Sequence, residues 1–449
     1  MTRKLHLNLF INGRGHHEAA WRHPAATGHR LSDLAYYREL ALTAEAAKLD
    51  SIFFADHVAL SDDIAHAAKG ELEPLTLLGA LAPLTERIGL IATASTSYSE
   101  PYNLARQFAS LDHLSGGRVG WNIVTSWVPA AAANFGDTGQ SSQAERYARA
   151  EEFVTVANKL WDSWAADAVL DDRAGGRFAR PDGVRPIAHH GAHFHVAGAL
   201  NVPRSPQGRP LLVQAGSSEG GRRFAARHAE AVFTAHLTKD SAITFYDDLK
   251  ARARAFGRRP DQIVVLPGLS AALGSTEAEA RQVFDELNAL SHANVGLARL
   301  SSRFGGVDFS HLPLDQPLSV DDFPDPATVE ASQSRAQGIV ALVARERPTL
   351  RALLASLAGA RGHFTTAGTP EQIADLIADW FASGAADGFN IMPPILPAQF
   401  DLFAEHVVPI LRRRGLFRVE YEETTLRARY GLDPVESAFD TPESAQRLA

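Results

Sequence analysis

Between the apolar run Leu211 to Ala215 and the helical pattern that follows it, the chain reads Gly216, Ser217, Ser218, Glu219, Gly220, Gly221. A short loop of glycines and hydroxyls at a helix N-terminus presents free backbone N–H groups and side-chain donors to an anion. Each hydrogen bond to a charged group contributes about 1.5–3 kcal/mol, and the chemistry this suits is the grip of a phosphate. No Lys follows the glycines, so the loop is not of the Walker type, and the chain has no dinucleotide glycine fingerprint. An ordinary capped strand-to-helix turn is written with the same residues, so the loop alone leaves both readings open. A second element offers matching chemistry. Ser142 and Glu145 have the spacing of a capping box, which sets Gln143 and Tyr147 four apart on one face of a helix's first turns. That amide and phenol could meet the same anion, or could be a solvated side chain and a packed ring.

These residues need a scaffold, and the chain supplies one. Eight short β-rich runs alternate with helical patterns: Leu5 to Ile11, Ser51 to Ala55, Ile88 to Ser95, Val119 to Thr125, Leu211 to Ala215, Ala231 to Thr234, Ile263 to Ala271 and Gly388 to Met392. Strands separated by amphipathic helices imply right-handed βαβ units and a parallel sheet, and eight of them fit a closed (β/α)8 TIM barrel in the α/β class. The helix ends are marked too: Thr369 with Pro370 and Gln372 opens one helix with a capping box, and Gly116 and Gly117 close another.

A bare barrel takes ~250 residues, so roughly 200 of the 449 lie in insertions and a tail. Residues 1–414 read as a single barrel domain with excursions at about 165–209 and 291–362, followed by a charged C-terminal tail, 415–449, expected to wrap the surface or a partner subunit. In the second excursion Leu350, Leu353, Leu354 and Leu357 form a stripe suited to a lid. With 44 Lys plus Arg against 52 Asp plus Glu, a formal charge of −8 and no dense basic run, the footprint of a nucleic-acid binder is missing. The absence of cysteine excludes disulfides, thiolate metal sites and Cys nucleophiles. Neither a signal-like segment in Met1 to Phe10 nor a membrane-length apolar run occurs, so a cytoplasmic protein with no membrane association is expected.

Barrel enzymes gather their reactive side chains at the C-terminal ends of the strands. Those ends carry Asn8 and Phe10; Asp56 and His57; Thr93, Ser95 and Thr96; Asn122, Thr125 and Ser126; and Ser217 with Ser218. The set is polar, mostly neutral and rich in hydroxyls. It lacks paired catalytic carboxylates and a Lys able to form a Schiff base, which favours a bound cofactor as the source of the difficult chemistry. His57 is the ionisable group best placed to donate or accept a proton there. A structural role fits it nearly as well. His16 and His17, in the loop after the first strand, face either substrate or solvent. His189, His190, His193 and His195 invite a metal reading, but a metal-dependent barrel hydrolase typically opens on His-x-His where this chain has His6-Leu7-Asn8, and no metal is expected.

The stretch Asp112-His113-Leu114-Ser115-Gly116-Gly117-Arg118-Val119-Gly120-Trp121-Asn122-Ile123-Val124-Thr125-Ser126 resembles the signature of bacterial luciferase-like flavin monooxygenases, in the branch of nitrilotriacetate and dibenzothiophene-sulfone monooxygenases. The resemblance continues through Ala55-Asp56-His57, Ala92 to Thr96, Glu145-Arg146-Tyr147 with Ala150 to Phe153, and Leu200 to Pro210 leading into Gln214 to Ser218. It implies FMN, used as FMNH2 with O2, against Asp56, Thr93, Gln143, Tyr147, Ser217 and Ser218, with the serines and Tyr147 near the phosphate and Asp56 and Thr93 nearer the ring or ribityl chain. Phe10, His17 and Asn122 are candidates to face the substrate. The family usually carries His where this chain has Gln143, and a neutral amide brings no positive charge to a phosphate. Flavin affinity would then be lower, unless Arg222 or Arg146 compensates.

The implied function is an FMNH2-dependent monooxygenase, the oxygenase component of a two-component system served by a separate NAD(P)H:flavin reductase. It would insert one oxygen atom into a small sulfur- or nitrogen-containing molecule such as a thioether, sulfone or aminopolycarboxylate. The family's habit is a homodimer or homotetramer. Two other functions fit the same barrel: an F420-dependent oxidoreductase transferring hydride, and a non-catalytic flavin-binding protein.

Overall fold

The computed structural model describes residues 3–437 and 439, except 61, 67, 127, 137–140, 330–332 and 361. Along the chain the strands are β1 (His6–Ile11), β2 (Ser51–Phe54), β3 (Gly89–Ser95), β4 (Val119–Val124), β5 (Val169–Asp172), β6 (Arg177–Ala179), β7 (His189–His190), β8 (His195–Val196), β9 (Leu211–Gln214), β10 (Ala231–Thr234), β11 (Val264–Leu273), β12 (Phe364–Gly368) and β13 (Gly388–Ile391). The parallel order β10-β9-β4-β3-β2-β1-β13-β11 closes on itself through the β10–β11 pairing, giving an eight-stranded barrel. All eight expected strands form within two residues of their expected limits. The ninth, β12, was not anticipated: it pairs only with the outer half of the long β11, Leu269 to Leu273, where the chain returns from the second excursion.

Alternation along the strands sorts side chains into two layers. Leu7, Leu9 and Ile11 of β1, Leu90, Ala92 and Ala94 of β3, and Val119, Trp121 and Ile123 of β4 pack outward under the helices. Phe10, Phe53, Ile91, Val213, Phe233 and Met392 fill the barrel interior. Thr93 and Asn122 share the inward phase of Ile91 on β3 and Gly120 on β4, above that apolar plug.

Much of the Asp112 to Arg118 stretch is scaffold. Gly116 ends its helix in the left-handed region at φ 67°, where a side chain would be strained. Arg118, buried, donates to the carbonyl oxygens of Ala82 (2.9 Å), Thr85 (3.0 Å), Ile88 (2.7 Å) and Ser115 (2.6 Å). The Asp112 carboxylate accepts from Val119 N–H (3.2 Å) and Gln207 Nε2 (2.7 Å), joining the start of β4 to the chain entering β9.

The two excursions and the tail each have a definite place. The first holds two small antiparallel ladders, β5–β6 and β7–β8. There the Glu152 carboxylate accepts from the backbone N–H groups of His193 and Phe194 (both 2.9 Å) and contacts His189 Nε2 at 3.0 Å, so His189 serves as a clamp. The second has its own hydrophobic core, in which Leu350, Leu353, Leu354 and Leu357 meet Leu300, Phe304, Phe309 and Ile339. Part of the tail does not lie on the surface: Leu426, Tyr430 and Leu432 enter the interior cluster, and Tyr430 donates to Asn8 Oδ1 at 2.9 Å. The tail thus closes the floor of the barrel, at the N-terminal ends of the strands. No helix among the described residues is long and apolar enough to cross a membrane.

Candidate active site

At the opposite rim, β9 runs out into the Gly216 to Gly221 loop and the helix Glu219–His228. Ser218 caps that helix, its hydroxyl accepting from Gly221 N–H at 3.1 Å. The helix Gln143–Trp161 starts beside it with the expected capping box between Ser142 and Glu145. From its first turn Gln143 Nε2 reaches Ser218 Oγ at 3.4 Å. Tyr147, one turn on, lies over the loop: a Cβ on Gly216 or Gly221 would stand 3.2 or 2.9 Å from its hydroxyl, and one on Gly220 would stand 3.2 Å from its ring. Gly221 is the tightest of the three against Tyr147, and a Cβ there would also stand 3.0 Å from the Gly216 backbone. Two separate helices therefore bring Gln143, Tyr147 and Ser218 to one loop, with Ser217 beside them.

A second group sits inside the rim. Thr93 Oγ1 donates to the Phe54 carbonyl at 2.8 Å and accepts from Asn122 Nδ2 at 2.8 Å. With its amide nitrogen committed to Thr93, Asn122 leaves a buried Oδ1 that has no partner. Ser95 and Ser126 share a hydroxyl hydrogen bond of 2.7 Å. Below them Phe10 packs with Phe53 at 4.6 Å and Phe233 at 5.5 Å between ring centroids, and His16 contacts the Phe10 carbonyl through Nε2 at 2.8 Å. Asp56, just beyond β2, is partly buried; desolvation first, and the nearby Glu73 charge second, push its carboxyl above the usual range. His57 next to it is exposed.

His17 is buried and both its ring nitrogens are engaged, Nδ1 with Ala19 N–H (3.2 Å) and Nε2 with Asn288 Oδ1 (3.2 Å). An imidazole that accepts at Nδ1 is neutral and donates from Nε2, and burial accordingly lowers its pKa to about 4. Arg222 is held in ion pairs with Asp248 (3.0 Å) and Glu219 (3.2 Å), and Arg146 donates to the Ser141 carbonyl.

Two histidines of the rim escaped the sequence reading. His236, two residues past β10, touches Thr234 Oγ1 at 2.8 Å and Ser241 Oγ at 3.2 Å, and burial lowers its pKa to about 4. His363 stacks on Phe233 at 4.8 Å, and burial drives its pKa well below the usual value. The position of His236 beyond a strand end could have marked it. His363 precedes the unexpected β12, and nothing local to it signals the rim.

The donor set at the β9 loop, hydroxyls, an amide and the open N–H groups of a helix start, suits a phosphomonoester. The orphaned acceptor of Asn122 suits an N–H of a planar ring above the phenyl floor, so the residues present fit FMN. Residues 14–387 match the family model described as Luciferase-like monooxygenase. The chain is 45% identical over 431 residues to N-acetyl-S-(2-succino)cysteine monooxygenase of Bacillus subtilis (strain 168), covering 96% of this chain and 97% of that protein. It is 46% identical over 443 residues to nitrilotriacetate monooxygenase component A of Aminobacter aminovorans, with the same coverage of 96% and 97%. Among solved structures, a riboflavin lyase determined with modified FMN and its substrate riboflavin superposes with a TM-score of 0.86 at 34% identity, covering 99% of this chain and all of that one.

Proposed function

The chain belongs to the luciferase-like monooxygenase family, and from that premise we propose that it is the oxygenase half of a two-component system. It takes reduced FMN from a separate NAD(P)H:flavin reductase and inserts one atom of dioxygen into a small sulfur- or nitrogen-containing compound. Family membership makes it a flavin-dependent monooxygenase; the form of the cofactor, the reductase and the substrate class are the proposal. The observation that carries it is the convergence of Gln143, Tyr147 and Ser218 from two helices on one glycine loop at the barrel rim. A relative called component A and another solved with modified FMN support the same reading.

When bound, reduced FMN supplies the electrons that activate dioxygen and thereby the oxygen atom that reaches the substrate. The residues of the chain bind, orient and exclude water. Ser217, Ser218, Gln143 and Tyr147 hold the phosphate, while Thr93 fixes Asn122 so that its free Oδ1 can accept from the ring. Asp56, its carboxyl biased toward the protonated form, serves the ring or ribityl chain with a hydrogen bond. Phe10 and its neighbouring rings keep water from the reacting centre, aided by the 291–362 lid. Phe10 and Asn122 face the substrate, His57 at the mouth moves the proton, and His17, with both nitrogens engaged, forms a wall.

The test is turnover with a flavin reductase, NADH, FMN and oxygen against thioethers, sulfones and aminopolycarboxylates, read by mass spectrometry. A product that has gained one oxygen atom, or its cleavage fragments, only when FMN and oxygen are both present is the expected result. Flavin binding without product from the whole panel would support a storage role, and a preference for F420 would support hydride transfer.

Gln143→His should tighten FMN binding roughly threefold at pH 6, since a charge-assisted bond to phosphate is stronger than a neutral one. The phosphate raises the imidazole pKa, so the gain is present below its unliganded value and fades as pH rises through the raised one, disappearing by about pH 8.5. Flavin fluorescence titration at the two pH values checks this, and a pH-independent gain would mean that the charge is not the cause.

A further inference from the structure

The barrel mouth described above is lined by phenyl rings and by the imidazoles of His236 and His363, which burial keeps uncharged. Arg335 breaks this neutrality. It is the third residue of the lid helix Gln333–Glu346, immediately before Ala336, which is buried with Ile339 and Val343 in the core of the lid. One turn on, a Cβ on Gly338 would lie 3.9 Å from Leu237 Cδ1, so this end of the helix passes beside the loop after β10. At the return of the excursion, Ala360 enters the interior cluster with Phe10 and Phe233, and His363 stacks on Phe233. The guanidinium of Arg335 is close enough to His363 that, after burial, its charge is the next cause depressing that imidazole.

Arg335 is walled in by protein, which lowers its own pKa, yet its surface is open. A guanidinium with both properties faces open space between surrounding elements and not packed protein. Among the described residues no carboxylate pairs with it, whereas Arg427 has Glu230 (2.7 Å), Arg299 has Glu18 (2.9 Å) and Arg418 has Asp50 (2.8 Å). An enclosed guanidinium without a counter-ion carries a desolvation cost that an entering anion relieves, and its planar fork matches a carboxylate in two parallel hydrogen bonds.

We infer that Arg335 is the subsite for a carboxylate of the substrate, so that the compound oxygenated here is a small carboxylic acid. This rests on the reading of the barrel mouth as the oxygenation site. The experiment is calorimetric titration of the chain, with and without FMN, using N-acetyl-S-(2-succino)cysteine, nitrilotriacetate and succinate, with the neutral succinamide as control. At least one carboxylate should bind the wild type, lose at least tenfold in affinity in Arg335→Ala and recover part of it in Arg335→Lys, while succinamide binds neither form. FMN affinity should be the same in all three proteins. Carboxylates that bind Arg335→Ala as well as they bind the wild type, or that fail to bind the wild type, overturn the assignment. Failure of FMN to bind appears in a separate titration and counts against the functional reading instead.

Discussion

Arg427→Ala is expected to lower the unfolding free energy by about 3–5 kcal/mol, the cost of leaving one partner of a buried ion pair uncompensated. Arg427 lies in the tail segment that closes the barrel floor and meets both carboxylate oxygens of Glu230, at 2.7 and 2.8 Å. Glu230 also accepts from Leu212 N–H at 2.9 Å and faces Arg209 at 3.3 Å, so some compensation survives and the lower end of the range is the better expectation. Burial by itself would raise the Glu230 carboxyl, but the charges of Arg427 and Arg209 outweigh it and hold the pKa at about 2.

A carboxyl depressed on folding contributes stability that is fully present above its ordinary value and is lost as pH falls through the folded one. For Glu230 the window runs from 4.5 down to about 2, and the whole contribution is of order 3 kcal/mol. Chemical denaturation of the wild type should therefore show stability falling across that window, and Glu230→Gln should flatten the fall. A tail that merely lay on the surface would leave both variants within about 0.5 kcal/mol of wild type.

Replacing both Ser217 and Ser218 by alanine is expected to weaken binding of reduced FMN by at least tenfold, about 1.4 kcal/mol, with the fold intact. The Ser218 hydroxyl caps the helix Glu219–His228 and accepts from Gln143 as well as from Gly221 N–H. Its loss therefore costs a donor to the phosphate and a helix cap together, the cap being worth about 1 kcal/mol. The two effects separate by measurement: anaerobic calorimetry with FMNH2 reports the first and thermal unfolding without flavin reports the second. Restoring Ser218 alone should recover the stability but only part of the affinity. Unchanged affinity in the double variant would remove the phosphate from this loop.

These two expectations test opposite ends of one barrel. The floor is held by charge pairing in a buried interior, where Tyr430, Asn8, Ser51 and Asn390 also share hydrogen bonds of 2.8 to 3.0 Å. The rim keeps its polar atoms partly unsatisfied, as at Asn122 Oδ1 and Gln214 Oε1. A buried acceptor left open costs stability unless a ligand completes it, so the open acceptors of Asn122 and Gln214 mark where binding energy is available at the rim.

The barrel was legible in the chain because its signals are local. Period-two apolar runs such as Leu7, Leu9 and Ile11, caps such as Thr369 with Gln372, and the glycines after Ser115 each depend on a few adjacent residues, and a strand or helix end obeys them wherever it sits. The same locality made the Gly216 to Gly221 loop and the Gln143 and Tyr147 pair visible as separate motifs. That the two motifs share one place, that Asn122 has an open acceptor because Thr93 takes its amide, and that His17 is turned into a structural pair with Asn288 follow from contacts between residues far apart in sequence. The docking of the tail, the ninth strand β12, His363 and Arg335 belong to this second kind. Their positions depend on where long excursions return to the barrel, and the free energy of closing a long loop changes so slowly with length that sequence separation does not determine the landing point. The packing of the whole chain decides it.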